Sequence, residues 1–178
     1  SKSKWVLMEV DESDGSIDGY KPWMTVVLNC DWDHVDTYTE KSSFAKTLSD
    51  LFFRTKESIV YADTKTLTGM VSEIRDKTLY PFTHCEEPAD FLEANERAVR
   101  ESGKALGLNF NNLNFESFPG MERRQSILFQ SSQRVVVEDY AHHPTEIASI
   151  LRMRGQLLPD HKLKVVFQPH RYSRTKAL

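Results

Sequence analysis

With 178 residues, 23 basic against 26 acidic side chains and a formal net charge of -3, the chain has no global basic field for holding nucleic acid or an anionic membrane. Hydrophobic residues at 39% and a mean hydropathy of -0.50 describe a globular chain with a wet surface, and no apolar run approaches the roughly 20 residues that span a bilayer. Cys30 and Cys85 stand far apart, with no CxxC pair and no metal-ligand spacing, so reduced thiols in a cytoplasmic protein are expected.

The first residues, Ser-Lys-Ser-Lys, lead straight into Trp5-Val6-Leu7-Met8, which is no signal peptide; a start on a strand without cap or linker predicts a piece of a longer protein. Trp5–Val10 reads as a strand feeding Asp11-Glu12-Ser13-Asp14-Gly15, and Thr25–Leu28 as a second feeding Asn29-Cys30-Asp31-Trp32-Asp33-His34, with Asp36 close behind. Ser42–Phe53 carries Phe44, Leu48, Leu51 and Phe52 at helical spacing, and Ser58–Tyr61 returns as a short strand. The alternation predicts parallel pairing. Thr64–Ile74 is a second helix, Thr78–Phe82 a strand that Pro81 favours for an edge, and Ala89–Leu106 a long amphipathic helix stopped by Gly107.

The Asn-rich stretch Asn109–Arg124, with Pro119-Gly120, marks a junction, which divides the chain into 1–119 and 120–178. Beyond it Arg134–Val137 and Lys164–Phe167 have the composition of buried strands, and Pro144–Arg154 is an amphipathic helix with Pro144 in its first turn and Glu146 at its positive end. This order predicts a βαβ unit whose two strands are parallel, so that the loops 138–143 and 168–174 leave one carboxyl edge and face one ligand.

Those two loops carry the chemistry. One holds Asp139, Tyr140, His142 and His143, the other His170, Arg171, Tyr172 and Arg174. Guanidinium forks beside imidazoles suit a carboxylate or phosphate; either loop alone reads rather as a solvated basic turn with a satisfied histidine, and it is their shared edge that reverses this in favour of a site. In the first half, Glu9 ends one expected strand while Asp33, His34 and Asp36 follow the next, which would bring a carboxylate and an imidazole together, a donor set for Mg²⁺ or Mn²⁺. The competing reading makes Asp11, Glu12, Asp14, Asp31 and Asp33 turn formers and caps. The His142-His143 pair lacks the spacing of a zinc site. Arg123-Arg124 after Gly120 can reach phosphates or serve as surface charge, and no GxxxxGK[ST] phosphate loop occurs in these residues.

Five segments in order resemble the Mur ligase family: Glu9-Val10-Asp11-Glu12-Ser13-Asp14, residues 29–38 (Asn29 to Tyr38), Gly120-Met121-Glu122-Arg123-Arg124, residues 139–147 (Asp139 to Ile147), and residues 167–175 (Phe167 to Thr175). The last loop and the Thr145-Glu146 pair are most similar to the alanine-adding branch. The resemblance implies a parallel-sheet, P-loop-type central domain, present in part, followed by the first βαβ of a Rossmann-like C-terminal domain. It implies ATP, with Asn95 toward the adenine, Arg123 or Arg124 on the phosphates and Asp139 on the ribose side. It implies Mg²⁺ or Mn²⁺ on Glu9 and His34, and UDP-N-acetylmuramate and L-alanine as substrates, met by Tyr140, His142, His170, Arg171 and Arg174.

Departures from the family are also visible. The family's N-terminal UDP-sugar domain, Gly-Lys-Thr loop and longer C-terminal domain are not in these residues, so the isolated chain is expected to be inactive. Before the long helix the family carries two further strands and a Gly-x-His-Asn turn, whereas here Glu86-Glu87-Pro88-Ala89-Asp90-Phe91-Leu92 runs straight into it, and Glu96 stands after Asn95 where the family prefers Ala. Three readings stay open: a ligase of cell-wall synthesis, a non-catalytic Mur-like binding or assembly module with a degenerate nucleotide pocket, and a metal hydrolase built on His142, His143 and Asp139.

Overall fold

A computed structural model describes residues 3–84, 91–110, 112–118 and 120–177, with the backbone alone at 91, 92 and 116. The segment Ser-Ile-Val-Tyr-Ala shows no polar alternation, the signature of a strand covered on both faces. It forms β2 (Ser58–Ala62), buried at every position, with β1 (Met24–Val27) and β3 (Thr78–Phe82) parallel on either side. Thr25 stands opposite Ile59, and Val60 opposite Tyr80. Pro81 lies on edge strand β3, where a missing N–H costs no ladder bond on the open side.

Helix α1 (Lys41–Arg54) connects β1 to β2 and buries Phe44, Leu48, Leu51 and Phe52 on one stripe. At its end the Thr55 hydroxyl donates to the Leu51 carbonyl at 2.9 Å and sits 2.6 Å from the Thr25 hydroxyl, fastening the helix to β1. Helix α2 (Lys65–Val71) is capped by Thr64, whose hydroxyl accepts the Leu67 N–H at 3.2 Å. Helix α3 (Phe91–Ala105) packs against β2 and β3 and ends in paired reverse bonds, Leu108 N–H to the Gly103 carbonyl at 2.8 Å and Gly107 N–H to the Lys104 carbonyl at 3.0 Å. That closure needs the left-handed φ of +67° that Gly107 supplies. Arg54 donates to the Ile17 and Tyr20 carbonyls, both at 3.1 Å, which docks the 3-10 turn Ser16–Gly19 and the acidic turn before it.

The second half differs from the expected βαβ unit. Strand β4 (Ser126–Gln130), which the sequence reading does not contain, pairs antiparallel with β5 (Val135–Glu138) as a hairpin closed by Ser131 N–H to the Arg134 carbonyl at 2.8 Å. Helix α4 (Pro144–Leu157) follows as expected, and helix α5 (Tyr172–Ala177) closes the described chain. Residues 164–167 are neither paired nor buried, with Val166 fully exposed, and β5 has no buried residue. Trp5–Val10 is likewise unpaired, with Val6 and Leu7 more than 90% exposed. β-type composition makes a segment competent to pair, but a strand exists only where a neighbour completes its ladder. Among the described residues neither segment has one. Pro119, the expected junction, lies outside the described residues, as do Cys85, Ala89 and Asp90.

Candidate functional site

The loop 29–38 after β1 is where three distant parts of the chain meet. Trp32 Nε1–H donates to the Tyr38 carbonyl at 2.9 Å, and the Thr37 and Tyr38 N–H groups converge on the His34 carbonyl at 2.8 and 2.9 Å. The Tyr38 ring is buried edge-on against Phe44 of α1, with centroids 5.3 Å apart, so the core itself holds the loop. His34 adopts a φ of +53°, a left-handed backbone unusual for a residue with a Cβ.

The acidic turn docks on this loop from one side. Tyr38 Oη–H donates to the Glu12 carbonyl at 2.8 Å and the Thr37 hydroxyl to the Ser13 carbonyl at 2.5 Å. These bonds set Glu12 Oε1 3.3 Å from His34 Nε2, and Asp11, Glu12 and His34 offer donor atoms all within 4.8 Å of one another. Two carboxylates and an imidazole fit a hard divalent cation. His34 Nδ1 is buried and has no hydrogen-bond partner among the described residues. Hydrogen bonds from the Ser13 hydroxyl and N–H hold the Asp11 carboxyl below the ordinary carboxylate range, against a small opposing effect of burial, with the charges of His34 and Arg171 adding to the lowering. Glu9 lies outside this three-residue group. The premise that it ends a strand next to β1 is overturned, because residues 5–10 form no strand. Glu9 instead lines a cleft of about 890 Å³ between residues 5–12, β1 and α3, together with Trp5, Trp23, Glu12 and Asn95.

From the other side come the loops of the second half. Asp139 accepts the Gln125 N–H at 2.8 Å and the Ala141 N–H at 2.7 Å, while Tyr140 N–H donates to the Arg123 carbonyl at 2.8 Å, so this carboxylate ties the ends of β4 and β5 together. Arg124 lies over the Tyr140 ring at 5.7 Å and 3.8 Å from Glu146. Glu146 also accepts the His142 and His143 N–H groups at 3.0 and 3.2 Å, completing the capping box of α4. His143 Nδ1 accepts the Thr145 N–H, which leaves Nε2–H to donate to the Trp32 carbonyl at 3.2 Å. His142 has the opposite arrangement: Nδ1 lies 3.0 Å from the Tyr140 carbonyl, leaving Nε2 as the acceptor. Its ring is 5.5 Å from that of Tyr140 and 6.5 Å from that of His170.

Arg174, expected as half of an anion grip, is buried and already paired. Its Nε and Nη2 donate to the two carboxylate oxygens of Asp33 at 2.7 and 2.8 Å. Asp36 accepts the Ser173 hydroxyl at 2.7 Å and lies 4.0 Å from Arg171 Nη1, whose side chain is 46% exposed. Burial pushes the Asp33 carboxyl up, but the Arg174 hydrogen bonds, the His34 N–H and the charges of both residues outweigh it, and the group sits below the ordinary range. Tyr140, His142 and His170 thus gather near one another, and Arg171 and Arg174 meet the His34 loop, whereas Asn95 stands in the cleft. Asp33 and Asp36 as arginine partners were absent from the sequence reading. The Arg174–Asp33 pairing spans 141 residues and leaves no local signal, and in the sequence Asp33 and Asp36 read as cation donors, with Asp33 also a turn former.

A parallel sheet with its connecting helices, an acid and imidazole loop leaving the carboxyl end of β1, and a second small antiparallel sheet after it make an α/β architecture consistent with that of the Mur ligases. The comparisons carry the likeness to particular enzymes. The chain is 28% identical to UDP-N-acetylmuramate–L-alanine ligase of Endomicrobium trichonymphae over 216 residues, covering 99% of this chain and 48% of that one. It is 31% identical to the enzyme of the same name from Desulfotalea psychrophila over 212 residues (98% and 46%), and 30% identical to that of Legionella pneumophila over 227 residues (99% and 47%). The chain is therefore a partial match to the UDP-N-acetylmuramate–L-alanine ligase family, and it spans about half the length of the curated relatives it matches. No family profile matches it. An alignment of 216 positions against 178 residues means that at least 38 positions within the matched stretch have no counterpart in this chain. Among the described residues no helix is long and apolar enough to cross a membrane.

Proposed function

We propose that the protein containing this chain is an ATP-dependent carboxylate–amine ligase of peptidoglycan precursor synthesis, joining L-alanine to UDP-N-acetylmuramate in the cytoplasm. The observation that carries the reading is the likeness of nearly the whole chain to ligases of that name. The meeting of the acidic turn and of segments 139–143 and 170–174 at the loop after β1 supports it. In this reading the muramyl carboxylate attacks the γ-phosphate of ATP and expels ADP, and the amine of alanine then attacks the acyl-phosphate, forming the amide as phosphate leaves and the amine gives up a proton.

The donor set Asp11, Glu12 and His34, with Glu9 on the adjoining cleft wall, would hold Mg²⁺ or Mn²⁺, and the buried His34 Nδ1, which has no hydrogen-bond partner among the described residues, fits a ligand atom. A cation bound there supplies neutralisation of charge on the phosphoryl oxygens. Asn95 faces the adenine from the cleft, Arg123 and Arg124 meet phosphate oxygens, and Asp139 stands on the ribose side. Arg171, exposed and loosely paired, grips the carboxylate of the amino acid with Arg174 behind it. Tyr140 and His170 line the same place, where His142 Nε2, with Nδ1 committed to a carbonyl, is free to take the proton of the attacking amine. These residues hold no GxxxxGK[ST] loop, so the ATP phosphate cradle is assigned to sequence outside them and the 178 residues alone are inactive.

In the whole protein, ADP release should require both UDP-N-acetylmuramate and L-alanine. Because a lost charge-assisted bond costs about 1.5 to 3 kcal/mol, Arg171→Ala should lower kcat/KM for alanine roughly ten- to a hundredfold and leave nucleotide affinity unmoved. ADP release indifferent to both substrates refutes the reading. The shorter matched stretch favours a second reading, a non-catalytic Mur-like module with a degenerate nucleotide pocket. That reading requires calorimetry of the whole protein to show no heat of binding for ATP with Mg²⁺.

A further inference from the structure

We propose that Asp33 is a positioning residue that couples the arginine segment 171–174 to His34. The inference rests on the reading above and goes beyond it, because it makes the cation side and the amino-acid side of the site one mechanical unit.

Asp33 spends a single carboxylate in two directions. Oδ1 accepts Arg174 Nε–H at 2.7 Å and the His34 N–H at 2.7 Å, while Oδ2 accepts Arg174 Nη2–H at 2.8 Å. The pair is well sheltered, with side-chain exposures of 7% for Arg174 and 15% for Asp33. A guanidinium so enclosed cannot drop one partner without another anion taking its place. His34, in turn, holds a left-handed φ of +53°, a conformation that a residue with a Cβ keeps only when its surroundings impose it. The imposing contacts are the Asp33 carboxylate on its N–H and the Thr37 and Tyr38 N–H groups on its carbonyl. The same backbone directs the His34 ring at Glu12. Arg174 thus braces the carboxylate that braces His34, though it is not in the Asp11, Glu12 and His34 group.

The geometry divides the two arginines by task. Arg171, 46% exposed and 4.0 Å from Asp36, is free to exchange its weak partner for an incoming carboxylate. Arg174 is the internal strut. A ligand anion drawn to Arg171 acts on the segment that Arg174 fixes to Asp33, and through it on the loop presenting His34.

The test is carried out on the whole protein with Asp33→Asn, Arg174→Ala, Arg174→Lys and the Asp33→Asn/Arg174→Ala double variant. Hydrogen exchange read at residues 34–38 should speed up about tenfold in Arg174→Ala, although that substitution lies more than 130 residues away in sequence, and by the same factor in Asp33→Asn. The double variant should go no further. Arg174→Lys, which keeps the charge and loses the fork, should fall between. Mn²⁺ affinity should drop three- to tenfold in step, and Ser173→Ala, which releases only Asp36, should move neither readout. Faster exchange confined to 171–177, with residues 34–38 at the wild-type rate, overturns the inference. If the wild-type protein binds no Mn²⁺, the cation assignment in the proposed function falls, and the exchange measurement still decides whether Asp33 couples the two segments. Should Asp33→Asn fail to fold, Arg174→Lys and Arg174→Ala decide it by themselves.

Discussion

The joint between α1 and β1 offers a sharp test, because it depends on two hydroxyls buried from solvent. Thr55 is 2% exposed and Thr25 7%, with their oxygens 2.6 Å apart. Since the Thr55 hydroxyl donates to the Leu51 carbonyl, the proton between the two threonines comes from Thr25. Thr55→Val keeps the shape but leaves the Thr25 donor buried without an acceptor, and the Leu51 carbonyl keeps its bond from the Thr55 N–H at 2.9 Å. The expected cost is that of an orphaned buried polar group, about 1 to 3 kcal/mol. Thr25→Val removes the donor instead and leaves Thr55 satisfied by Leu51, so the cost is that of one ordinary hydrogen bond, about 0.5 to 1.5 kcal/mol, reduced by the better strand propensity of valine. The double substitution leaves nothing orphaned and should cost less than the sum of the singles by about 1 kcal/mol. Urea unfolding followed by tryptophan fluorescence measures all three. Equal single effects that add to within about 0.3 kcal/mol would show that the two hydroxyls do not share this proton.

The other expectations concern the end of α3 and the site. A Cβ at Gly103 would clash with the Phe110 ring, so Gly103→Ala should destabilise by about 1 to 3 kcal/mol of overpacking despite roughly 1 kcal/mol gained in helix propensity, and Gly103→Ala/Phe110→Leu should recover part of it in thermal unfolding. Asp33 sits below its unfolded value of about 3.9, so the unfolded state binds the proton more readily; its contribution is complete above about pH 5 and is lost as pH falls through the lowered folded value. Acid titration of protection at residues 172–177 should show that loss, and Asp33→Asn should abolish its pH dependence. His34→Ala removes the imidazole shared by the candidate cation group and should weaken Mn²⁺ binding more than tenfold by titration in the intact protein, with unchanged affinity counting against the site.

Much of the first half could be read from the chain by itself, since its determinants are local. The spacing of Phe44, Leu48, Leu51 and Phe52 sets the face of α1, Thr64 caps α2, Gly107 closes α3, and the unbroken apolar run at Ser58–Ala62 belongs to a central parallel strand. Each of these rests on residues within a few positions of one another. Pro81 similarly marks β3 as an edge, because the missing N–H is a property of one residue. The five ordered segments also carry the family likeness, which the relatives bear out across nearly the whole chain.

Only the tertiary structure decided which strand-like segments find partners. Trp5–Val10 and Lys164–Phe167 are as β-prone as β1, yet neither acquires a ladder among the described residues, whereas Ser126–Gln130 does, with β5. A strand's hydrogen bonds belong to its neighbour, so composition cannot assign them. The same holds for the site. The sequence placed an imidazole after β1 and arginines near position 172, but not that Asp33 would occupy Arg174, or that Tyr38 and Thr37 would bring Glu12 to His34. Those contacts join residues from more than 20 to 141 positions apart, and such pairings come into being only when the loops are docked by the core beneath them.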